Sequence, residues 1–398
     1  MRLPARHRVP SPAIARLGLV VAGALAMAAL SGCELVAGVH PVSLGAEPAE
    51  VVCGRGQAGI ACAVTNQTPQ FGTTFGPSST SLTNFRDSAG WNSGPQYYST
   101  IRLVDLDRDG LPDVCGRGRA GIDCALGTDS SFGALTVWQP DFSDANGWNR
   151  GPQYYSTIQF VDLDGDGKLD VCGRDGAGLV CAISTGSSFG PVSVWEPDFS
   201  DANGWDRGPQ YYSTIRFADV NADGRPDVCA RSPAGIDCGI NLGSSFGATT
   251  TWGPFWNDAN GWAAADAYPS IQLVDVNRDG WIDVCGRDST GVTCGLNNGA
   301  GAFEVATPSP PWEDTEFSVL NFGDVSDYST IRFVDVDGDS FPDICGRNAS
   351  GISCAQNLGP RFMTGWGALT TWQPDFSDAN GWNSGPKYYS TIQFAPIF

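Results

Sequence analysis

The sequence predicts an all-β fold, a six-bladed β-propeller of four-stranded blades, and three observations predict it. A Cys-Gly/Ala-Arg triplet recurs at Cys53, Cys115, Cys172, Cys229, Cys285 and Cys345, with spacings of 62, 57, 57, 56 and 60 residues. Repetition at such a period is the signature of propeller blades or solenoid units. An apolar string recurs at Ile101, Ile158, Ile215, Ile271, Ile331 and Ile392, and four short strands fit between successive copies. The composition agrees: Gly (51) and Pro (26) are abundant among 398 residues, and charged residues make up 17%, against roughly 25% in an ordinary domain. Turns therefore outweigh long helices.

Each unit is read in order. An apolar first strand (155–161) leads into an Asp-rich loop, then a short second strand (171–174), a Gly turn, a third strand (179–183) and a fourth ending at Val194-Trp195. The first copy begins at its second strand, Val51-Val52-Cys53-Gly54-Arg55, and the chain stops after a lone first strand, 389–394. These missing pieces are complementary. The C-terminal strand is expected to complete the N-terminal blade and remove two sheet edges. An open solenoid competes with this reading but leaves the two half-blades unexplained.

The charge narrows the chemistry. Asp plus Glu number 43 against 23 Lys plus Arg, a net charge of −20, which argues against a nucleic-acid partner because phosphate binding needs a basic surface. The only Lys are Lys168 and Lys387, and the only His are His7 and His40. A Ser/His/Asp triad, a His zinc site or a His general base has almost no material.

The acidic set divides into 36 Asp and 7 Glu, and 18 of those Asp fall in five loops. The loops carry Asp105/Asp107/Asp109/Asp113, Asp162/Asp164/Asp166/Asp170, Asp219/Asn221/Asp223/Asp227, Asp275/Asn277/Asp279/Asp283 and Asp335/Asp337/Asp339/Asp343. Side-chain oxygens at loop positions 1, 3, 5 and 9, with Gly at 6 and a carbonyl at 7, suit a cation needing six to eight oxygens, which favours Ca²⁺ over octahedral Mg²⁺. About five structural Ca²⁺ ions are expected. The competing reading is Asp-rich turns satisfied by backbone amides. In the fifth loop Ser340 replaces the Gly, which predicts strain, and the sixth copy has no loop.

Twelve of the 13 Cys form pairs spaced by nine: Cys53/Cys62, Cys115/Cys124, Cys172/Cys181, Cys229/Cys238, Cys285/Cys294 and Cys345/Cys354. A four-residue turn places the two Cys of a pair opposite each other on a hairpin, with Cα atoms about 4.5–5.5 Å apart, and predicts six disulfides. Zinc is the rival reading, a poor one with two thiolates per blade and no His.

Two further recurrences have two readings each. The Arg after each first Cys (Arg55, Arg117, Arg174, Arg231, Arg287, Arg347) is either an anion contact or, the favoured reading, a partner for Asp of a neighbouring blade. The loop 141–155 returns at 198–212 and 375–389 and in variant form elsewhere. Its Trp91, Trp148, Trp205, Trp262 and Trp382 are either ligand-binding platforms suited to sugar faces or plugs between blades. The stretch 312–328 lacks Asn-Gly-Trp and is the odd interface.

At the N-terminus four Arg precede a 14-residue apolar run, residues 17–30, too short to span a bilayer. It ends in Leu30-Ser31-Gly32-Cys33, which resembles the lipobox of bacterial lipoproteins. Residues 1–33 are thus expected to be a lipoprotein signal with Cys33 acylated, residues 34–50 a flexible tether, and residues 51–398 the propeller. Glu34 after the Cys favours the outer membrane or cell surface over the inner membrane.

The D-x-D-x-D-G-x-x-D loop, followed by a strand, a Gly turn and Phe132-Gly133, Phe189-Gly190 or Phe246-Gly247, resembles the FG-GAP/VCBS repeat of integrin-α-like propellers. The resemblance implies Ca²⁺ on one face and a role in adhesion or in carbohydrate binding, as in fungal integrin-like propeller lectins. The leading expectation is a lipid-anchored, monomeric, non-catalytic module binding a carbohydrate or a cell-surface protein through repeated weak sites. The alternatives are a polysaccharide lyase or hydrolase and a structural envelope protein.

Overall fold

In the blades each Cys pair spans a hairpin, and the hairpin is the centre of the blade. In the second blade Asp170–Asp175 pairs antiparallel with Gly178–Ala182, with Cys172 opposite Cys181. Gly178 makes the turn at φ 137°, and a Cβ there would lie 2.3 Å from the Glu196 carbonyl oxygen, so only glycine fits. Gln159–Val161 completes the sheet on one side and Ser193–Glu196 on the other. The same order recurs from Arg102–Val104 to Thr136–Gln139, from Arg216–Ala218 to Thr250–Gly253, and from Arg332–Val334 to Thr370–Gln373. In the fourth blade, which starts at Gln272–Val274, the outer position is shared by Phe303–Glu304 and Glu313–Asp314. The computed structural model describes residues 34–35, 42–44, 46–49, 51–68, 72–75, 79–128, 131–305, 313–336, 339–359 and 365–384.

First strands adjoin one another around the axis: Gln159 Nε2 donates to the Ile215 carbonyl of the next blade at 3.1 Å, and Gln272 Nε2 to that of Ile331 at 3.1 Å. Fourth strands face outward, with Val137 and Val194 nearly half exposed. The core lies between blades, where Trp138 of the first blade packs with Val180 and Phe189 of the second, and Trp195 with Phe246 of the third.

Two expectations are corrected. Among the described residues the structure has five four-stranded blades, not six. The N-terminal sheet follows another order: Val51–Gly56 pairs with Gly59–Thr68, but Glu34–Leu35 lies beside Val51–Gly56, where the C-terminal strand was expected. The N-terminal copy also has Val51 two residues before its first Cys, where the five blades have Asp, and it lacks their loop. The strand 389–394, Cys33 and the leader lie outside the described residues; within the tether segment Val42–Leu44 pairs with Ala46–Ala49. Second, the first strand of the second blade begins at Gln159, not at 155, because Pro152–Tyr155 forms a helical turn with Pro at its first position.

Candidate functional site

The Asp-rich loops connect first and second strands, and their side chains order the turn before any ligand is considered. In all five, the N–H at position 6 donates to the position-1 carboxylate, at 2.8–3.1 Å. The N–H at position 7 donates to the position-5 carboxylate at 2.8–3.0 Å, with Asp109, Asp166, Asp223, Asp279 and Asp339 as the acceptors.

The loops then divide by the residue at position 3. In the first two it is Asp, and the three acids converge: the carboxylate oxygens of Asp105, Asp107 and Asp109 lie within 4.8 Å of one another, as do those of Asp162, Asp164 and Asp166. Burial, and then the Asp109 charge, push the Asp107 carboxyl above its ordinary value. Among the described residues Asp105 Oδ1 is buried without a hydrogen-bond partner, so this loop offers a cation a carboxylate oxygen that the backbone leaves unsatisfied. In the third and fourth loops position 3 is an amide that turns onto its neighbour. Asn221 Nδ2 donates to Asp223 at 3.1 Å and Asn277 Nδ2 to Asp279 at 2.9 Å, while each Asn oxygen accepts from the N–H of that same Asp at 2.9–3.0 Å. These two loops therefore differ from the expected open set of oxygens: an amide occupies part of the position-5 carboxylate, and a cation there would have to displace it. In the fifth loop Asp335 and Asp339 hold the turn as their counterparts do, and Asp337 lies outside the described residues.

Position 9 behaves differently. Asp113, Asp170, Asp227, Asp283 and Asp343 are fully buried. Asp113 accepts from Leu106 N and Gly127 N at 2.6 Å each, and the other four accept from the corresponding pair of amides. Each ties its loop to the end of the third strand. Desolvation pushes Asp113 and Asp283 up to about 7 and Asp170 and Asp227 to about 6, against the opposing pull of those amides. The structure thus brings positions 1, 3 and 5 together and sets position 9 beneath them as a brace.

The disulfides form as the spacing predicts in five blades, Cys115–Cys124, Cys172–Cys181, Cys229–Cys238, Cys285–Cys294 and Cys345–Cys354, with Cα atoms 4.1–4.2 Å apart. Cys53 and Cys62 stand opposite each other in the backbone register; their side chains lie outside the described part.

The Arg after each first Cys is a clasp between blades. Arg174 is fully buried; its guanidinium donates to the carbonyls of Phe199 and Gln153, at 2.7 and 3.2 Å, and pairs with Asp201 in the loop leading to the next blade. Asp201 also accepts from Tyr154 Oη at 2.7 Å. Arg117 and Arg231 repeat this with Asp144 and Asp258, and Arg347 pairs with Asp327 and Asp378.

The reading of the Trp residues as ligand platforms is corrected. Trp91, Trp148, Trp205 and Trp262 are at most 7% exposed, too little to offer a ring face to a sugar. Trp148 stacks on Phe142 at 4.2 Å and lies over Gly173, where a Cβ would come within 2.7 Å of its ring. Trp382 is half-buried against Phe376 at 4.4 Å. They plug the wedges between blades. Three interblade ties went unread in the sequence: Asn241, Asn297 and Asn357 donate to the carbonyls of Leu163, Val220 and Val276 of the preceding blade, at 2.7–2.9 Å. Their signal was available, an Asn three residues after the second Cys of the last three pairs.

Comparisons with known proteins agree with this architecture. Residues 105–173, 162–230 and 275–346 match the FG-GAP-like repeat. No curated protein matches the chain. Among solved structures, an Agrocybe aegerita lectin described for specific recognition of non-reducing terminal N-acetylglucosamine is 25% identical, with a TM-score of 0.71 over 88% of this chain and 82% of that one. The Photorhabdus luminescens Tc holotoxin pore is 16% identical, with a TM-score of 0.47 over 83% of this chain and 14% of that one. The V. cholerae biofilm matrix protein Bap1 is 16% identical, with a TM-score of 0.28 over 69% and 37%. The repeat match, the blade topology and the likeness to the lectin along most of both chains converge on one identity: the protein is a β-propeller of FG-GAP-like repeats, a binding-module fold.

Proposed function

We propose that the protein is an exported, lipid-anchored propeller that binds glycans without catalysis and carries Ca²⁺ in its Asp-rich loops. The observation that carries the glycan reading is the likeness to the fungal lectin along nearly the whole of both chains. With the Trp rings buried, the sugar-facing groups are the exposed polar residues at the loop tips, Asn149-Arg150 and Asp206-Arg207. Their repetition suits multivalent attachment. Binding of the purified protein to glycans ending in N-acetylglucosamine on an array tests the reading. A folded protein that binds no sugar overturns it.

Ca²⁺ is supported by the convergent acids of the first two loops and by the unpartnered Asp105 Oδ1. The residues that would hold it are positions 1, 3 and 5 of each loop, and the ion would neutralise the mutual repulsion of their acids. At an affinity of about 10⁻⁴ M, 1 mM Ca²⁺ stabilises by about 1.4 kcal/mol per site. The melting temperature is expected to fall on chelation; an unchanged value removes Ca²⁺ from the proposal. Export is supported by the five disulfides, which persist in oxidising compartments. The lipid on Cys33 rests on the Leu-Ser-Gly-Cys string, and intact mass of the cell-derived protein decides it.

A further inference from the structure

The axis of the propeller carries a second kind of chemistry, opposite in sign to the Asp-rich loops. One residue of each first strand, set opposite the first Cys of its blade, alternates along the chain: Arg102, Gln159, Arg216, Gln272, Arg332. The Gln residues reach across to the next blade, but the Arg residues turn back on their own. Arg102 Nη1 donates to the Ser99 and Ile101 carbonyls, Arg216 Nη1 to those of Ser213 and Ile215, and Arg332 Nη1 to those of Ser329 and Ile331, all at 2.7–3.1 Å. Each guanidinium is therefore fixed by one nitrogen, with its remaining donors uncommitted among the described residues. Among those residues, no carboxylate pairs with any of the three. This contrasts with Arg117, Arg174, Arg231 and Arg347, each paired with Asp.

Desolvation, and then the charge of Arg332, press the Arg216 guanidinium below its ordinary value; desolvation does the same to Arg102 and Arg332. Arg102 and Arg216 are half-buried, and Arg332 is reached by solvent. These are cations on the strands that line the axis. Four residues before each Arg or Gln stands a Tyr, at 98, 155, 212, 268 and 328. Burial, and then the phenols of adjoining blades, push Tyr155 and Tyr212 above their ordinary value, so these tyrosines share one end of the axis strands. The acidic loops begin at the far end of the same short strands, as Asp219 follows Arg216–Ala218.

We infer that the tyrosine-lined mouth of the axis is a binding site for one tetrahedral oxyanion, a sulfate or phosphate group, held by Arg102, Arg216 and Arg332. Three guanidinium groups at one register of the axis strands, each with donors uncommitted among the described residues, offer charge-assisted bonds that a chloride ion cannot match in geometry. The chain's net charge of −20 repels anions elsewhere, so an anion is retained here by local contacts alone. The site is on the axis, which sets its stoichiometry at one per chain.

The test is isothermal titration of the full-length protein with inorganic sulfate, inorganic phosphate and a sulfated hexosamine, at fixed ionic strength against chloride. Sulfate also stabilises folds by exclusion from their surface, so the readout is stoichiometry and the difference between variants. Arg216→Gln installs the residue the chain itself uses at 159 and 272, and the repeat accommodates it. One anion per chain is expected, weakened about tenfold or more by Arg216→Gln and unchanged by Arg86→Gln, an exposed position away from the axis. Tighter binding of the sulfated sugar than of the inorganic ions assigns the group to a glycan, and the reverse order to a free ion; either supports the site. Tyr155→Phe provides a second variant at the mouth, expected to weaken binding by less than Arg216→Gln. Equal responses to sulfate and chloride, more than one anion per chain, or unchanged binding in Arg216→Gln overturns the inference.

Discussion

The wedge between the second and third blades and the wedge between the fourth and fifth do the same work with different residues. In the first, Trp205 packs on Phe199 at 4.3 Å and Arg174 closes on Asp201. In the second, the Asn-Gly-Trp string is gone, and Phe317 and Phe322 stack at 4.6 Å with rings 16° apart. Phe322 fills the space over Gly346, where a Cβ would come within 2.8 Å of it. The second wedge also replaces the carboxylate: Arg287 Nη2 donates to the Phe322 carbonyl at 2.7 Å, and only Nη1 meets an acid, Asp266, at 3.3 Å. The repeat therefore constrains filled volume and a satisfied buried guanidinium, and it leaves residue identity open. The odd interface that the sequence marks out is a repacked plug.

The largest expected effect sets the two clasps against each other. Arg174→Met orphans two backbone carbonyls, at about 1–3 kcal/mol each, and leaves Asp201, which solvent reaches, without its cation. Arg287→Met orphans three carbonyls, those of Phe317, Phe322 and Asp266, while its one carboxylate sits farther off, at 3.3 Å. The third carbonyl is expected to make its cost larger by about 1 kcal/mol. Urea unfolding of both variants measures the difference. A larger loss in Arg174→Met would show that the carboxylate, more than the carbonyls, carries the clasp.

A smaller effect sharpens the comparison at the position that opens each wedge. Gln139 accepts from Asp141 N and donates through Nε2 to the Gly190 carbonyl at 2.6 Å. In the next blade Glu196 accepts from Asp198 N at 3.0 Å, but its Oε2 is buried without a partner. That oxygen and the Gly247 carbonyl oxygen each lie 2.8 Å from where a Cβ on Gly239 would sit. Two acceptors face each other there unless the carboxyl is protonated. Desolvation pushes Glu196 from 4.5 up to about 7. An acid raised in the fold is most favourable below its unfolded pKa, so this contribution is full below pH 4.5, declines as pH rises, and is lost above about 7. Glu196→Gln restores the donor at every pH. It is expected to stabilise by roughly 1–3 kcal/mol at about pH 8 and to be near neutral at about pH 4. Thermal melts at both values check it; a gain of the same size in acid would assign the effect to packing.

What the sequence made legible follows the same division between position and identity. Two Cys nine residues apart across a tight turn have one geometric relation, so the bridge from Cys172 to Cys181 was readable. Asp113 was not: position 9 of a cation loop and a brace for two amides use the same side chain, and only burial separates them. Asn221 and Asn277 hid their role for a similar reason, since an amide offers an oxygen to a cation and an N–H₂ to the next carboxylate, and the turn geometry decides which is used. Trp148 offered the same ambiguity, because a ring that stacks on sugar and a ring that fills a wedge are one residue type. The decisive clue was Gly173 beneath it, a missing Cβ whose partner is a distant loop. Closure of the ring was misread because a strand is defined by its neighbour, and complementarity of two half-blades does not say which segment pairs with Val51–Gly56.

The smallest effect tests whether the loops tolerate substitution as the wedges do. Position 6 is Gly in four loops, at φ 84–95°, and Ser340 in the fifth, at φ 76°. The left-handed region costs a residue with a Cβ on the order of 1 kcal/mol, yet Ser340 N still donates to Asp335 at 2.8 Å, as its counterparts do. The fold holds the turn against the strain. Ser340→Gly is expected to stabilise by somewhat less than that cost, because glycine also gains freedom in the unfolded chain. Differential scanning calorimetry in chelator isolates the backbone contribution from any ion. A destabilised variant would mean that the Ser340 side chain supports the turn, and that the fifth loop, like the wedge between the fourth and fifth blades, has found its own local solution.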